Sequence, residues 1–269
     1  MLHEEFDTPA DLREAVKCFW YNRWDFGPQP SSFEVLPDGY AEIIFCFGRV
    51  ARDGAVLRSP FMMGLLSQPV TFSAAGRLEI LGIRCYPWTV FDLLGLPSGK
   101  HGVHTFEHPV AQLQPVLARH LQAGDIAAAV AELRRYFLQA RAQLATDSML
   151  FKAGEAMRKA HGAMPVSEVA AAAHATVRTL ERKFKHSSGH TVKDVSGLMR
   201  FEQVRNRLWH APQTNLAALA QELGYTDQSH LSREFKRYSG TTPAAFARNA
   251  RAASKEIVAF VQARTGDAP

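Results

Sequence analysis

The sequence is poor in cysteine. Its 269 residues hold three, Cys18, Cys46 and Cys85, widely spaced and in no CxxC pair. That argues against a disulfide framework or a zinc knuckle and suits a reducing compartment, so a cytoplasmic protein is expected. No apolar run approaches the roughly 18 residues of a membrane span. The opening stretch, MLHEEFDTPADLREAV, is acidic and has no apolar core, so no secretion signal is expected. There is no GxSxG, no phosphate-cradling GxxxxGK[ST] loop and no GxGxxG fingerprint, and with them go the common nucleophilic and nucleotide-dependent enzymes. No catalytic residue and no cofactor is expected. His104 and His108 have a metal-ligand spacing for a helix, but Pro109 follows at once, so a turn without metal is expected there. Cys46, in IIFCFG, reads as a buried core thiol.

What the chain does carry is unevenly placed. Apolar residues make up 46% and charged ones 21%, which leaves enough of both for an ordinary globular core and surface. The net charge of +5 hides a split. Residues 1–146 hold 13 Lys+Arg against 15 Asp+Glu, a net of −2, while residues 147–269 hold 18 against 11, a net of +7. A basic half beside a slightly acidic one points to a polyanion partner for the basic half.

The patterning changes in the same direction. LPDGYAEIIFCFG places a Pro-Asp-Gly turn before a β-branched and aromatic run that ends at Gly48, and PVTFSAAGRLEILGIRCYP reads as two strands around an Ala-Gly break. A small β-barrel-like domain is expected over residues 1–108, with helices at its ends, DLREAVKCFWYN among them. Phe45, Phe47, Met63 and Trp88 are expected to line an apolar ligand pocket inside it. Residues 109–146 show apolar positions at helical spacing in two runs separated by AGD, with Asp125 as an N-cap. They read as a helical cap on the β domain, as a homodimer interface, or as both. From Asp147 every signal is helical, and an all-α bundle of about seven short helices is expected over residues 147–252, followed by a tail, 253–269. The fold class is two-domain α+β.

Two stretches in the helical half repeat one another: VAAAAHATVRTLERKFKHSSGHT, from Val169, and LAQELGYTDQSHLSREFKRYSGTT, from Leu219. Each has an apolar-Ala pair, a turn, a capping residue, then Leu, three residues, Phe and Lys, and finally Gly. The offset is 50 before the turn and 51 after it. This is a helix-turn-helix pattern, twice. Small residues let one helix cross another closely. The turn calls for positive φ, which Gly224 adopts freely and His174 adopts with more strain. Leu180 and Phe184, like Leu231 and Phe235, are four apart and share one buried stripe. Outward then lie Arg178, Glu181, Arg182 and Lys185 in the first copy, and Gln228, Ser229, Ser232, Arg233 and Lys236 in the second. These are side chains that read base edges and phosphates in a major groove. The segment VKDVSGLMRFEQVRNRLW between them is long enough, at roughly 27 Å, to hold two such heads apart.

Residues 147–250 resemble the C-terminal DNA-binding domain of the AraC/XylS family of bacterial transcription regulators, and LAQELGYTDQSHLSREFKRYSGTTPAAF is close to that family's signature. The resemblance implies that Arg178, Glu181 and Arg182, and Gln228, Ser229, Ser232 and Arg233, face bases in double-stranded DNA. It also implies activation or repression at promoters and operators, often with contact to RNA polymerase. The first half, through VLPDGYAEIIFCFG, MMGLLSQP and GIRCYPW, resembles sensor domains fused to some members, which implies control by a small-molecule effector. The competing class is a DNA-modifying or repair enzyme that carries the same module and a reactive cysteine. The contexts KCFW, FCFG and RCYP lack the Pro-Cys-His surroundings of that chemistry.

Overall fold

A computed structural model describes residues 2–96, 102–142 and 147–252. The first half is an antiparallel sheet of eight strands: β1 (Leu2–Phe6), β2 (Val16–Asp25), β3 (Ser31–Val35), β4 (Ala41–Arg52), β5 (Ala55–Val56), β6 (Phe61–Met63), β7 (Val70–Cys85) and β8 (Val103–Thr105). The order is β1-β2-β7-β4-β6-β8, with β3 paired to β7 and β5 to β4. The long strand β7 is the axis. Its second half lies between β2 and β4, and its first half takes up β3 and the end of β4.

Strand alternation sorts the residues onto two buried faces. Phe19, Tyr21, Ile43, Phe45, Leu81, Ile83 and Cys85 pack under three helices, α1 (Val90–Leu94), α2 (Gln114–Gln122) and α3 (Ile126–Ala142), meeting Leu117, Leu133 and Phe137. Trp20, Ile44, Cys46, Phe61, Met63, Phe72, Leu78 and Ile80 form a second cluster on the opposite face. Because both faces are buried, IIFC and ILGI are continuous apolar runs and show no polar alternation. Asp125 caps α3 as expected, its Oδ1 accepting from the Ala128 amide at 2.9 Å.

The segment DLREAVKCFWYN differs from its expected helix. A short 3-10 turn covers Ala10–Leu12, and from Val16 the chain is strand β2. Its apolar residues suit a helix stripe locally, but β2 pairs along most of its length with β7, and that pairing buries both of its faces. Tertiary context outweighs local periodicity here.

Two glycines are fixed by close approach. A Cβ on Gly82 would lie 2.0 Å from Cε2 of Trp20, whose ring crosses β7 at that point. Gly48 sits where the β4–β7 register shifts, with φ at +140°, and a Cβ there would lie 2.8 Å from the Arg77 carbonyl.

Among the described residues the second half has seven helices: α4 (Ser148–Lys159), α5 (Val166–Ala172), α6 (Val177–Ser188), α7 (Val192–His210), α8 (Leu216–Glu222), α9 (Gln228–Ser239) and α10 (Pro243–Ala252). Helix α7, about 28 Å long, is the spine. Its Val195, Leu198, Phe201, Val204 and Leu208 are buried in the cluster that gathers the other six. That cluster also takes in Leu65, Tyr86 and Trp88 from the first half, so the two halves share a packed seam. The tail 253–269 lies outside the described residues.

Gly82→Ala tests the close approach on β7. The added methyl must displace the Trp20 ring from a filled core, so a loss of about 1–3 kcal/mol is expected in denaturant unfolding. An unchanged midpoint would mean that the ring has room to move.

Candidate nucleic-acid interface

The two repeated stretches fold alike. In the first unit α5 buries Val169 and Ala170, and the turn passes through His174 at φ +52°. In the second α8 buries Leu219 and Ala220, and the turn passes through Gly224 at φ +72°. The same backbone bond closes each turn. The Ala175 amide donates to the Ala170 carbonyl, and the Tyr225 amide to the Ala220 carbonyl, both at 2.9 Å. The residue inserted in the second copy is Thr226, which leaves Asp227 as the cap. The Thr176 hydroxyl accepts from the Thr179 amide at 3.2 Å, and Asp227 Oδ1 from the His230 amide at 2.7 Å. Each such cap is worth about 1 kcal/mol. Gly189 and Gly240, both left-handed, end the two helices.

Leu180, Phe184, Leu231 and Phe235 are buried, as the spacing predicts. Arg178, Arg182 and Lys185 are exposed on α6, and Gln228, Ser229, Arg233 and Lys236 on α9; Ser232 is half-buried. Among the described residues no carboxylate engages Arg178, Arg182, Lys185, Arg233 or Lys236. Other cations of this half are occupied. Arg200 Nη2 reaches both carboxylate oxygens of Glu234, at 3.1 and 3.2 Å, and its Nη1 donates to the Gly162 carbonyl. Its guanidinium also lies 5.0 Å from the Tyr225 ring centroid. Arg200 thus ties α7 to α9 and to the second turn. Lys183 pairs with Asp147, the N-cap of α4. Burial would raise the Asp147 carboxyl, but Lys183 and the Leu150 and Met149 amides hold it below its ordinary value.

Glu181 departs from its expected place. It is half-buried, and its Oε2 accepts from the Val192 amide at 3.2 Å, in the first turn of α7. The left-handed turn at Gly189 brings the start of α7 back beside α6, and Glu181 satisfies a donor that the helix itself leaves open. It joins the two helices and is half-buried where Arg178, Arg182 and Lys185 are exposed.

The four residues expected to line a pocket are not brought together. Phe45 lies under the helices with Phe47 at its border, Met63 is on the opposite sheet face, and Trp88 belongs to the helical cluster. Phe45 and Phe47 share one face, the pairing of Met63 with Glu42 puts Met63 on the other, and Trp88 lies beyond the end of β7. It stacks on Tyr86 at 5.2 Å and meets Phe184 of α6 at 5.6 Å. It also presses on α4, where a Cβ on Gly154 would lie 2.2 Å from its ring. With Ala15, Leu93, Arg141 and Leu150 it lines a seam cavity of about 50 Å³. His104 is in β8, while His108 precedes a 3-10 turn and accepts from the Val110 amide at 3.1 Å, so the pair shares no helix.

Residues 169–249 match the family model described as a helix-turn-helix domain. Residues 4–105 match one described as a domain of unknown function (DUF6597). No curated protein matches. Among solved structures, ToxT from Vibrio cholerae is 10% identical over 86% of this chain and 98% of its own, with a TM-score of 0.45. The DNA-binding domain of AdpA, in complex with a target DNA, is 24% identical over 40% of this chain and 96% of its own, with a TM-score of 0.36. The C-terminal domain of AraT, a response regulator from Geobacillus stearothermophilus, is 18% identical over 44% and 94%, with a TM-score of 0.35.

Two capped helix-turn-helix units on one spine, in a matched helix-turn-helix domain, make this a DNA-binding transcription regulator. Its helical half is a DNA-binding domain of the AraC type. No helix among the described residues is long and apolar enough to cross a membrane.

Glu181→Gln separates the capping role from base reading. Losing the charged acceptor should cost about 0.5–1.5 kcal/mol in thermal unfolding, with base preference unchanged in a binding-site selection. A changed preference with unchanged stability would return Glu181 to the reading face.

Proposed function

We propose that the protein binds promoter or operator DNA with α6 and α9 in successive major grooves on one side of the duplex, under the control of its N-terminal half. The observation that supports this best is the pair of outward faces, on α6 and α9, whose cations no carboxylate among the described residues occupies, both helices packed on α7. Arg178, Arg182 and Arg233 are assigned to base edges, where a guanidinium takes guanine O6 and N7 together. Gln228 suits adenine, and Ser229 and Ser232 either kind of edge. Lys185 and Lys236 are assigned to phosphates, to which an ammonium offers a point charge. Residues 147–252 form the DNA-binding domain. Residues 109–146 link and dimerise, and residues 1–108 respond to a small-molecule effector. Contact with RNA polymerase, in the cytoplasm, completes the reading, and no catalytic step is assigned.

Titration on a selected site and on scrambled DNA tests the assignment. Log affinity should fall linearly with log salt, with a slope of about −4 to −8 for 5 to 9 phosphate contacts. Arg233→Ala should cost about 1–3 kcal/mol on the selected site and relax preference at one base position. Lys236→Ala should weaken all sequences alike and reduce the slope by about 1. If Arg233→Ala stays folded and loses equal affinity on both DNAs, α9 does not read bases through it.

A further inference from the structure

The seam between the two halves contains an unusual amount of buried charge. The turn at residues 37–40, read in the sequence only as the lead-in to a strand, docks on α7. Arg205 Nη1 donates to the Pro37 carbonyl at 3.2 Å, and a Cβ on Gly39 would lie 3.3 Å from Met199 Cγ. Beneath this contact Arg84 of β7 donates to Glu42 of β4 at 2.7 Å and stands 3.9 Å from both Asp38 and Glu5. Arg205 stands 3.9 Å from Glu202, one turn before it on α7. Glu42 is 2% exposed, Arg84 3%, Arg205 5%, and Asp38 and Glu202 8% each. Three buried carboxylates, Asp38, Glu42 and Glu202, therefore face two buried guanidiniums, with Glu5 and Lys17 exposed at the edge of the cluster. Removing an ion from water costs several kcal/mol unless it is matched, and here the acids are in excess.

We infer that the turn at residues 37–40 and the face of α7 bearing Glu202 and Arg205 form a proton-operated clamp. Proton uptake by the acid-rich cluster tightens the grip of the N-terminal half on the spacer between the two helix-turn-helix units. Burial raises the Glu202 carboxyl above its ordinary 4.5 and Asp38 adds to that, while Arg205, Arg84 and Lys17 only partly offset them. Burial pushes Glu42 up to about 7, and again Asp38 adds while Arg84 offsets. Asp38, Arg84 and Lys17 all belong to the N-terminal half, so withdrawing it returns Glu202 to solvent and to its ordinary range. An acid whose pKa is higher docked than undocked takes up a proton on docking. Docking therefore strengthens as pH falls through the raised docked value of Glu202 towards its ordinary 4.5 and weakens as pH rises through that window.

The neighbours do not reverse this direction. Burial raises Cys18 to about 12 and lifts Tyr40 further above its ordinary value, so both stay neutral across the window. Tyr86 and, on α4, Arg158 close the side of the cluster. His3 sits at the β1 rim against Glu5 and Asn22, and it is raised by Glu5, with no α7 group among the influences on it.

Met199, 7% exposed at the seam, reports the clamp in the full chain. Its oxidation by dilute hydrogen peroxide, followed by mass spectrometry, should be several-fold faster at pH 8 than at pH 5, as one linked proton on a Glu202 carboxyl raised by docking requires. Met62, fully buried in the sheet core, should show no such change. Glu202→Gln, which cannot ionise, should slow Met199 oxidation at pH 8 and reduce the ratio below about threefold. The proposal is overturned if the wild-type ratio is near one, if Met62 follows Met199, or if Glu202→Gln keeps the full ratio.

Discussion

The packing of one ring, Phe201, holds the DNA-binding half together. It lies midway along α7, 5.1 Å from Phe235 and 5.3 Å from Tyr238. Both partners are on α9, so the second reading helix is placed by contact with the spine. Burying a ring of this size contributes several kcal/mol, and truncating it to alanine typically costs 3–5. The Arg200–Glu234 pair on the adjacent flank, with both side chains only part-buried, contributes less and mainly fixes the rotation of α9 about that contact. On the other side of the spine, Glu181 ties the first unit to the start of α7.

That arrangement explains a division among the cations. The surplus of +7 in residues 147–269 is not one undifferentiated basic surface. Arg200, Arg205, Arg207 and Lys183 are paired with carboxylates and serve the architecture. Arg178, Arg182, Lys185, Arg233 and Lys236 are exposed and have no carboxylate partner among the described residues. Because the first group is internally neutralised, it adds little to a salt-dependent attraction to a polyanion, which falls to the second group and to other exposed cations such as Lys152, Lys193 and Arg248.

The helix-turn-helix units were legible because their signals are local. Caps, Leu-Phe spacing and terminal glycines act within a dozen residues, and even the strained turn at His174 could be read from its alignment with Gly224. What the sequence hid depends on distant chain. Helix periodicity in DLREAVKCFWYN is outweighed by pairing to β7, some 60 residues away. Glu181 looked outward on a helical wheel, and only the return of the chain at Gly189 gives it a donor. Phe45, Phe47, Met63 and Trp88 share an aromatic or thioether character but not one face: sheet register sets Met63 opposite the two phenylalanines, and Trp88, past the end of β7, packs with the helices. The Pro-Asp-Gly turn was recognised as a turn. Its contact with α7 joins residues separated by 168 positions and leaves no local trace.

In the proposed complex α7 holds α6 and α9 at a fixed separation and on one side of the duplex. Half-site spacing tests it most directly, because major-groove faces recur on one side of B-DNA once per turn of about 10.5 base pairs. The measurement is the affinity of the full chain for a selected site and for the same site with five base pairs inserted between its halves. The account predicts that the insertion reduces affinity to that of a single half-site, since the second groove then faces away. Equal affinity for both DNAs would contradict it, and would mean that the two units are not held in register by the spine.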